Sequence, residues 1–369
     1  MGDGRGAARK TGGVRLLPIR RMTPVALAGA TLAGAVLTGA CTGPTAPAPG
    51  HTSAPGHTTA PGAAPPTSAG LGWRRLAASP TPRTEVAAAV AGTRVYVLGG
   101  YRADGGTVAT VEVYDTATGR WDRGPDLPVA VNHAMAASAG GTVYVFGGYL
   151  ASGAAGSAVF RLEQGQWRAM AEMPQGRAAG TAVVQGGNVY VAGGVGSGGL
   201  AAQMLVYDVP GDRWSTAAGP PTPREHLGGA GFDGLVYTVG GRTGGLDTNL
   251  GAFESYDPRT GHWTRLPDLP TRRGGLAAAA TCNGLVVAVG GEAEATFAEA
   301  EAFDVRAGTW RALPPLPTPR HGLGVVTVGP VLYAFAGGPR PGLHVTDATE
   351  AIDLASLGAC PPPSGAPDR

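Results

Sequence analysis

The residues best equipped for chemistry recur at matched places. Arginine stands just ahead of a run of small residues five times: Arg83, Arg177, Arg224, the Arg272-Arg273 pair and Arg320. Acids, imidazoles and amides follow: Glu85, then Glu225 and His226, then His321, with Asn132 and His133 at a sixth such place. Further along each unit come Tyr101 and Arg102, Tyr149, Arg242 with Asp247 and Asn249, Glu292 and Glu294, and Arg340 with His344. Guanidinium groups around one pocket would hold a carboxylate or other anion through forked hydrogen bonds. The same side chains would also serve to brace neighbouring loops. The fourth group gathers the most chemistries: Arg224, Glu225, His226, Arg242, Asp247 and Asn249. A glutamate beside an arginine can move a proton next to an anchored acid. That makes Glu225 with Arg224 or Arg273 the candidate catalytic set.

These residues sit inside a repeat. Trp73, Trp121, Trp167, Trp214, Trp263 and Trp310 follow one another at intervals of 46 to 49 residues, and six Gly-Gly pairs, from Gly99-Gly100 to Gly337-Gly338, interleave with them. A period of this length means a propeller or an array of similar units. Short runs such as Val95 to Leu98, ended by glycine, read as buried strands. An aromatic lies seven residues before five of the tryptophans: Tyr114, Phe160, Tyr207, Tyr256 and Phe303. A Gly-containing turn lies between, which predicts a hairpin. Proline-rich links lead to Ala/Gly-rich strands, small enough for a crowded centre. Each unit is therefore read as four antiparallel strands, inner to outer.

The order strand, Gly-Gly, aromatic strand, turn and Trp resembles the kelch repeat over roughly residues 72 to 354. The resemblance implies an all-β, six-bladed kelch-type β-propeller over residues 71–356. The last unit ends at Ala348 to Leu354 without a tryptophan, while Trp73 has no strands before it. The N-terminal strand is thus expected to close the last blade, which pairs the open strand edges. In such blades the loops after Gly-Gly and after the outer strand share one face. Arg83, His133, Arg177, Arg224, His226, Arg242, Asp247, Asn249, Arg272, Arg320 and His321 are accordingly expected around one mouth of the central channel, as candidate ligand-binding residues. The resemblance leaves function open, because one fold hosts many. A non-catalytic platform for a protein or glycan, with anions favoured, is the leading expectation. A sugar-acid mutarotase similar to N-acetylneuraminate epimerase is the alternative. A galactose-oxidase-like copper enzyme is more distant, since no Tyr/His cluster surrounds Cys282. No cofactor or metal site is expected.

Ahead of the repeat, Arg15, Arg20 and Arg21 precede an apolar stretch to Ala40, as in a secretory signal. Leu37 to Cys41 resembles a bacterial lipobox, which implies a lipid on Cys41, membrane anchoring and an extracytoplasmic location, or otherwise secretion. Residues 41–70 are rich in Pro, Ala, Thr and Gly and read as a disordered tether; residues 357–369 form a Pro-rich tail. Of 28 basic and 26 acidic residues, six basic and one acidic fall in residues 1–40. The remainder holds 22 basic against 25 acidic residues, so charge gives no case for nucleic acid. A monomer is expected. In an oxidising compartment Cys282 and Cys360 are candidates for a disulfide.

Overall fold

The computed structural model describes Met1 and residues 70–361. The expected leader, the expected lipidation site Cys41, the expected tether and the residues beyond 361 lie outside the described residues. Residues 70–361 form six four-stranded antiparallel sheets, the blades of a β-propeller. Blade 1 runs Ala87–Ala91, Arg94–Leu98, Val111–Asp115 and Arg120–Arg123; blade 2 runs Met135–Ala139, Thr142–Phe146, Val159–Glu163 and Gln166–Ala169. Blade 3 uses Thr181–Gln185, Asn188–Ala192, Gln203–Asp208 and Arg213–Ala218; blade 4 uses Gly228–Phe232, Leu235–Val239, Phe253–Asp257 and His262–Arg265. Blade 5 uses Ala277–Ala280, Leu285–Val289, Ala300–Asp304 and Thr309–Ala312. Blade 6 takes Gly324–Val328, Val331–Phe335 and Thr349–Asp353 from the end of the repeat and Trp73–Arg75 from its beginning. Trp73 pairs with Ile352 and Arg75 with Glu350, so the ring is closed within one sheet.

The tryptophan period has a physical cause. Each indole N–H donates to a backbone carbonyl at or just beyond the end of the preceding blade's outer strand, at 2.8–2.9 Å: Trp73 to Pro314, Trp121 to Ala77, Trp167 to Pro125, Trp214 to Ala171, Trp263 to Ala218 and Trp310 to Pro267. The ring supplies area and the N–H supplies a partner, the combination for which Trp suits half-buried seams.

The glycine period has another cause. Gly100, Gly148, Gly194, Gly241, Gly291 and Gly337 donate their N–H to the carbonyls of Val131, Arg177, Arg224, Arg273, Arg320 and Arg83, a closed circle of blade-to-blade bonds at 2.7–2.9 Å. The glycine before each bears the close approach. Gly147 has φ +51°, and a Cβ there would meet the Arg177 carbonyl oxygen at 2.3 Å. In blade 6 that first position is Ala336, itself at φ 54°, so the pair expected at Gly337-Gly338 sits one residue late in the register.

Two 3-10 turns, Leu246–Thr248 and Ala355–Leu357, are the only helical elements among the described residues. After the second, Asn283 Nδ2 holds the carbonyls of Leu354 and Gly358 at 2.9 and 3.1 Å. A disulfide joins Cys282 to Cys360, with Cα atoms 5.0 Å apart. It ties residue 360 to blade 5.

Candidate functional site

The small inner strands leave a central channel of about 370 Å³, lined by residues such as Ala88, Ala136, Ala182, Gly229, Ala278 and Val325. Its mouth is built on a second circle of backbone hydrogen bonds. His133 N–H donates to Glu85, Ala179 to His133, His226 to Ala179, Gly275 to His226 and Gly322 to Gly275; Val86 N–H donates to Gly322 and closes the circle. The six residues Glu85, His133, Ala179, His226, Gly275 and Gly322 all have positive φ, from 49° to 70°. Glycine occupies this left-handed conformation freely, whereas other residues pay for it. Side chains at these positions are therefore aimed by the backbone at the axis.

The arginines expected at this mouth are elsewhere. Arg83, Arg177, Arg224, Arg273 and Arg320 are fully buried inside their blades. Each except Arg177 pairs with a glutamate on the third strand: Arg83 with Glu112 at 2.9 Å, Arg224 with Glu254 at 2.6 Å, Arg320 with Glu350 at 2.5 Å, and Arg273 with Glu301. Thr81, Thr222, Thr271 and Thr318 cap the same carboxylates from 2.6 to 3.0 Å. Further N–H groups hold the carbonyls of Gly99, Gly193, Gly240 and Gly290. These guanidinium groups brace the blades; they do not surround a ligand. Arg272 is exposed beside the buried Arg273. The trio Glu225, Arg224 and Arg273 is not assembled, since both arginines turn inward. A repeated signal marks the missed partners. The third strands read Glu112-Val-Tyr-Asp, Glu254-Ser-Tyr-Asp, Glu301-Ala-Phe-Asp and Glu350-Ala-Ile-Asp, 28 to 30 residues after each arginine.

What converges at the mouth is an acid–imidazole cluster. Glu85 Oε2 lies 3.1 Å from His133 Nε2, and Glu85 Oε1 lies 3.0 Å from His321 Nδ1. His321 Nε2 faces the carbonyls of Arg340 and Gly342, both at 3.1 Å. With only acceptors about it, the imidazole is doubly protonated. Arg242 Nη1 holds Glu292 at 2.9 Å, and its Nε lies 3.3 Å from Glu225. Asn249 Nδ2 donates to the Glu292 carbonyl at 2.7 Å. The His133 and His226 rings meet edge to face at 4.8 Å, across the small Ala179 position. Tyr101 and Tyr149 set their rings against His133 at 6.0 and 5.4 Å. Asp247 is exposed on the loop outside.

Burial alone would raise the Glu85 carboxyl, but the charges of His133, His321 and His226 and the His321 hydrogen bond hold it below the usual range. Burial pushes His133 down to about 4, helped by His226 and Arg242 against the pull of Glu85. Burial also works against His321, yet the hydrogen bond and charge of Glu85, the charge of Glu292 and the Gly342 carbonyl raise it. Burial opposes ionisation of Glu225 too, but His226 and Arg242 lower it on balance. The copper-enzyme expectation finds no support at Cys282, whose sulfur is bonded to Cys360.

Comparison with known proteins agrees with the blade geometry. The model of the KLHDC2/KLHL20/DRC7 Kelch-repeats domain matches residues 86–266 and 132–338, more than half the chain. The chain belongs to the kelch-repeat family. The chain is 31% identical over 236 residues to the Kelch-like protein terF of Aspergillus terreus, covering 58% of this chain and 50% of that one. It is 36% identical over 90 residues to the human Kelch repeat and BTB domain-containing protein 13, covering 24% of this chain and 19% of that one. Kelch-like protein 36 of Mus musculus is 42% identical over 60 residues, 16% of this chain and 10% of the relative. The chain thus spans half or less of the length of these relatives. Kelch propellers of this kind are typically protein-binding domains.

Proposed function

We propose that this kelch propeller is a non-catalytic binding platform whose protein ligand docks on the channel mouth. One observation carries the reading. Among residues 70–361 the exposed large apolar side chains are Val129, Leu246 and Leu343, and all three lie on loops of that one face. Exposed apolar side chains confined to the loops of one face favour docking on that face, and loops on a rigid scaffold suit the role. An anionic ligand loses its main support, because the arginines are spent inside the blades. A glycan is the second reading, favoured by Tyr101 and Tyr149 beside the polar groups of Glu85 and His133. A peptide and glycan array probed with the full chain tests both. Leu246→Asp with Leu343→Asp should abolish the hits, while Arg306→Glu on the opposite face should leave them. Hits indifferent to the mouth substitutions would overturn the placement.

We also propose that the propeller works outside the cytoplasm, held to a membrane by lipid on Cys41. The basic-then-apolar leader supports this address, and the Cys282–Cys360 bond suits an oxidising compartment. Labelled fatty acid should enter the wild-type chain and not Cys41→Ala; equal labelling of the two would remove the anchor.

A further inference from the structure

The mouth holds one contact that either a proton or a metal ion must bridge. Asn132 Nδ2 donates to Thr107 Oγ1 at 2.9 Å and reaches the Tyr149 carbonyl at 3.3 Å. Those partners fix the amide, so Asn132 Oδ1 faces His133 Nδ1 at 2.6 Å. An amide oxygen only accepts, hence Nδ1 carries a hydrogen. His133 Nε2 then faces Glu85 Oε2, 3.1 Å away. Two lone pairs at that separation require something electropositive between them, a proton or a metal ion.

His226 separates the two choices. Its side chain is about nine-tenths buried, and Glu225 Oε1 stands 3.4 Å from its Nδ1 without completing a hydrogen bond. A proton shared by Glu85 and His133 leaves that imidazole unused. A metal ion uses it, because one oxygen of Glu85 and one nitrogen each of His133 and His226 lie within 4.8 Å of one another. Ligands about 2.1 Å from a tetrahedral zinc ion stand roughly 3.4 Å apart, so small side-chain shifts complete the set. Charge points the same way. Glu85, Glu225 and Glu292 are opposed by Arg242 and the protonated His321, which leaves the cluster net negative. Asn132 on His133 Nδ1 is the kind of outer partner that orients a metal-binding imidazole.

We propose that Glu85, His133 and His226 form a site for a divalent transition-metal ion of borderline softness, such as Zn²⁺. Two imidazoles and a carboxylate suit such ions, and three protein ligands leave a coordination position open toward the channel. All three ligands occupy left-handed positions of the mouth circle, where Gly275 and Gly322 show that no side chain is needed for the fold. The site is independent of whether the surrounding face docks a protein or a glycan.

The test is calorimetric titration of the untagged, EDTA-stripped full chain with Zn²⁺ at neutral pH, with bound metal counted by mass spectrometry. One saturable equivalent is expected. His133→Ala and His226→Ala should each weaken it by about a hundredfold, and His262→Ala on the opposite face should leave it. The double variant subtracts any binding elsewhere on the chain, including by His51 and His57 within residues 41–70. Saturable binding that His133→Ala and His226→Ala leave intact would overturn the site, as would its absence from the wild type. Should the variants misfold, Co²⁺ loaded into the wild type decides. Intense visible bands of four- or five-coordinate cobalt with nitrogen ligands are expected; the spectrum of the hydrated ion alone would overturn the site.

Discussion

Arg224 and Glu254 show how much one buried pair does. The guanidinium joins the blade entry to the Gly240 carbonyl, to Thr238 and to the third strand, with almost no exposure. Removing one member of such a pair strands a charge without solvent, which costs about 3–5 kcal/mol. Glu254→Ala should lower stability by that order, read from the denaturant midpoint. Blade 2 indicates the repair. There Val131 stands in for arginine, and Phe160 occupies the register position of the glutamate, opposite Val145. Replacing both partners, Arg224→Val with Glu254→Phe, should therefore cost less than Glu254→Ala alone. A double variant worse than that single one would mean that the pair's hydrogen bonds outweigh its desolvation. Arg177 is the exception among the arginines. Leu205 holds the glutamate's register opposite Val191, and burial alone depresses this guanidinium.

At the scale of elements, blade 2 also explains why spacing counts mislead. Phe160 precedes Trp167 by seven residues, as Tyr114 precedes Trp121. Yet Trp121 faces Tyr114, whereas Trp167 faces Leu162 and Phe160 faces Ala169. The blade 2 hairpin turns on two residues, Gln164 and Gly165, at φ 51° and 76°, the conformation a tight two-residue hairpin requires. Two residues saved in the turn offset the two-residue shift of the aromatic to the glutamate's register opposite Val145, so the spacing of seven is kept. The residue change and the turn change are one event. The Ala336 register is similar in kind. A doublet of glycines was visible, but only the hydrogen bond from Ala336 N–H to the Ala348 carbonyl shows which residue takes the first place.

For the molecule as a whole, stability depends on closure. Every blade leans on the next through an indole hydrogen bond and two circles of backbone hydrogen bonds, and both circles need all six blades. The Trp73–Arg75 strand covers the open edge at Thr349–Asp353, and Leu71 and Trp73 pack on the core around Ile352. Deleting residues 70–76 from the full chain should lower the melting temperature. It should also increase concentration-dependent self-association in light scattering, because a bare edge templates further pairing. A deletion variant with unchanged melting would show that blade 6 closes by other means.

The sequence by itself determined the architecture: four strands per unit, six blades, and a first strand that finishes the last sheet. Those follow from local pattern, because buried strands, turn glycines and seam tryptophans recur wherever the same packing recurs. The direction of the long side chains was decided only by the tertiary structure. An arginine two residues from the axis can point to the mouth or into the blade, and a glutamate about thirty residues downstream settles which. The cluster of Glu85, His133 and His226 comes from three different blades, and no spacing rule joins them. Six left-handed residues on one closed circle bring them together, and that circle exists only once the ring is complete.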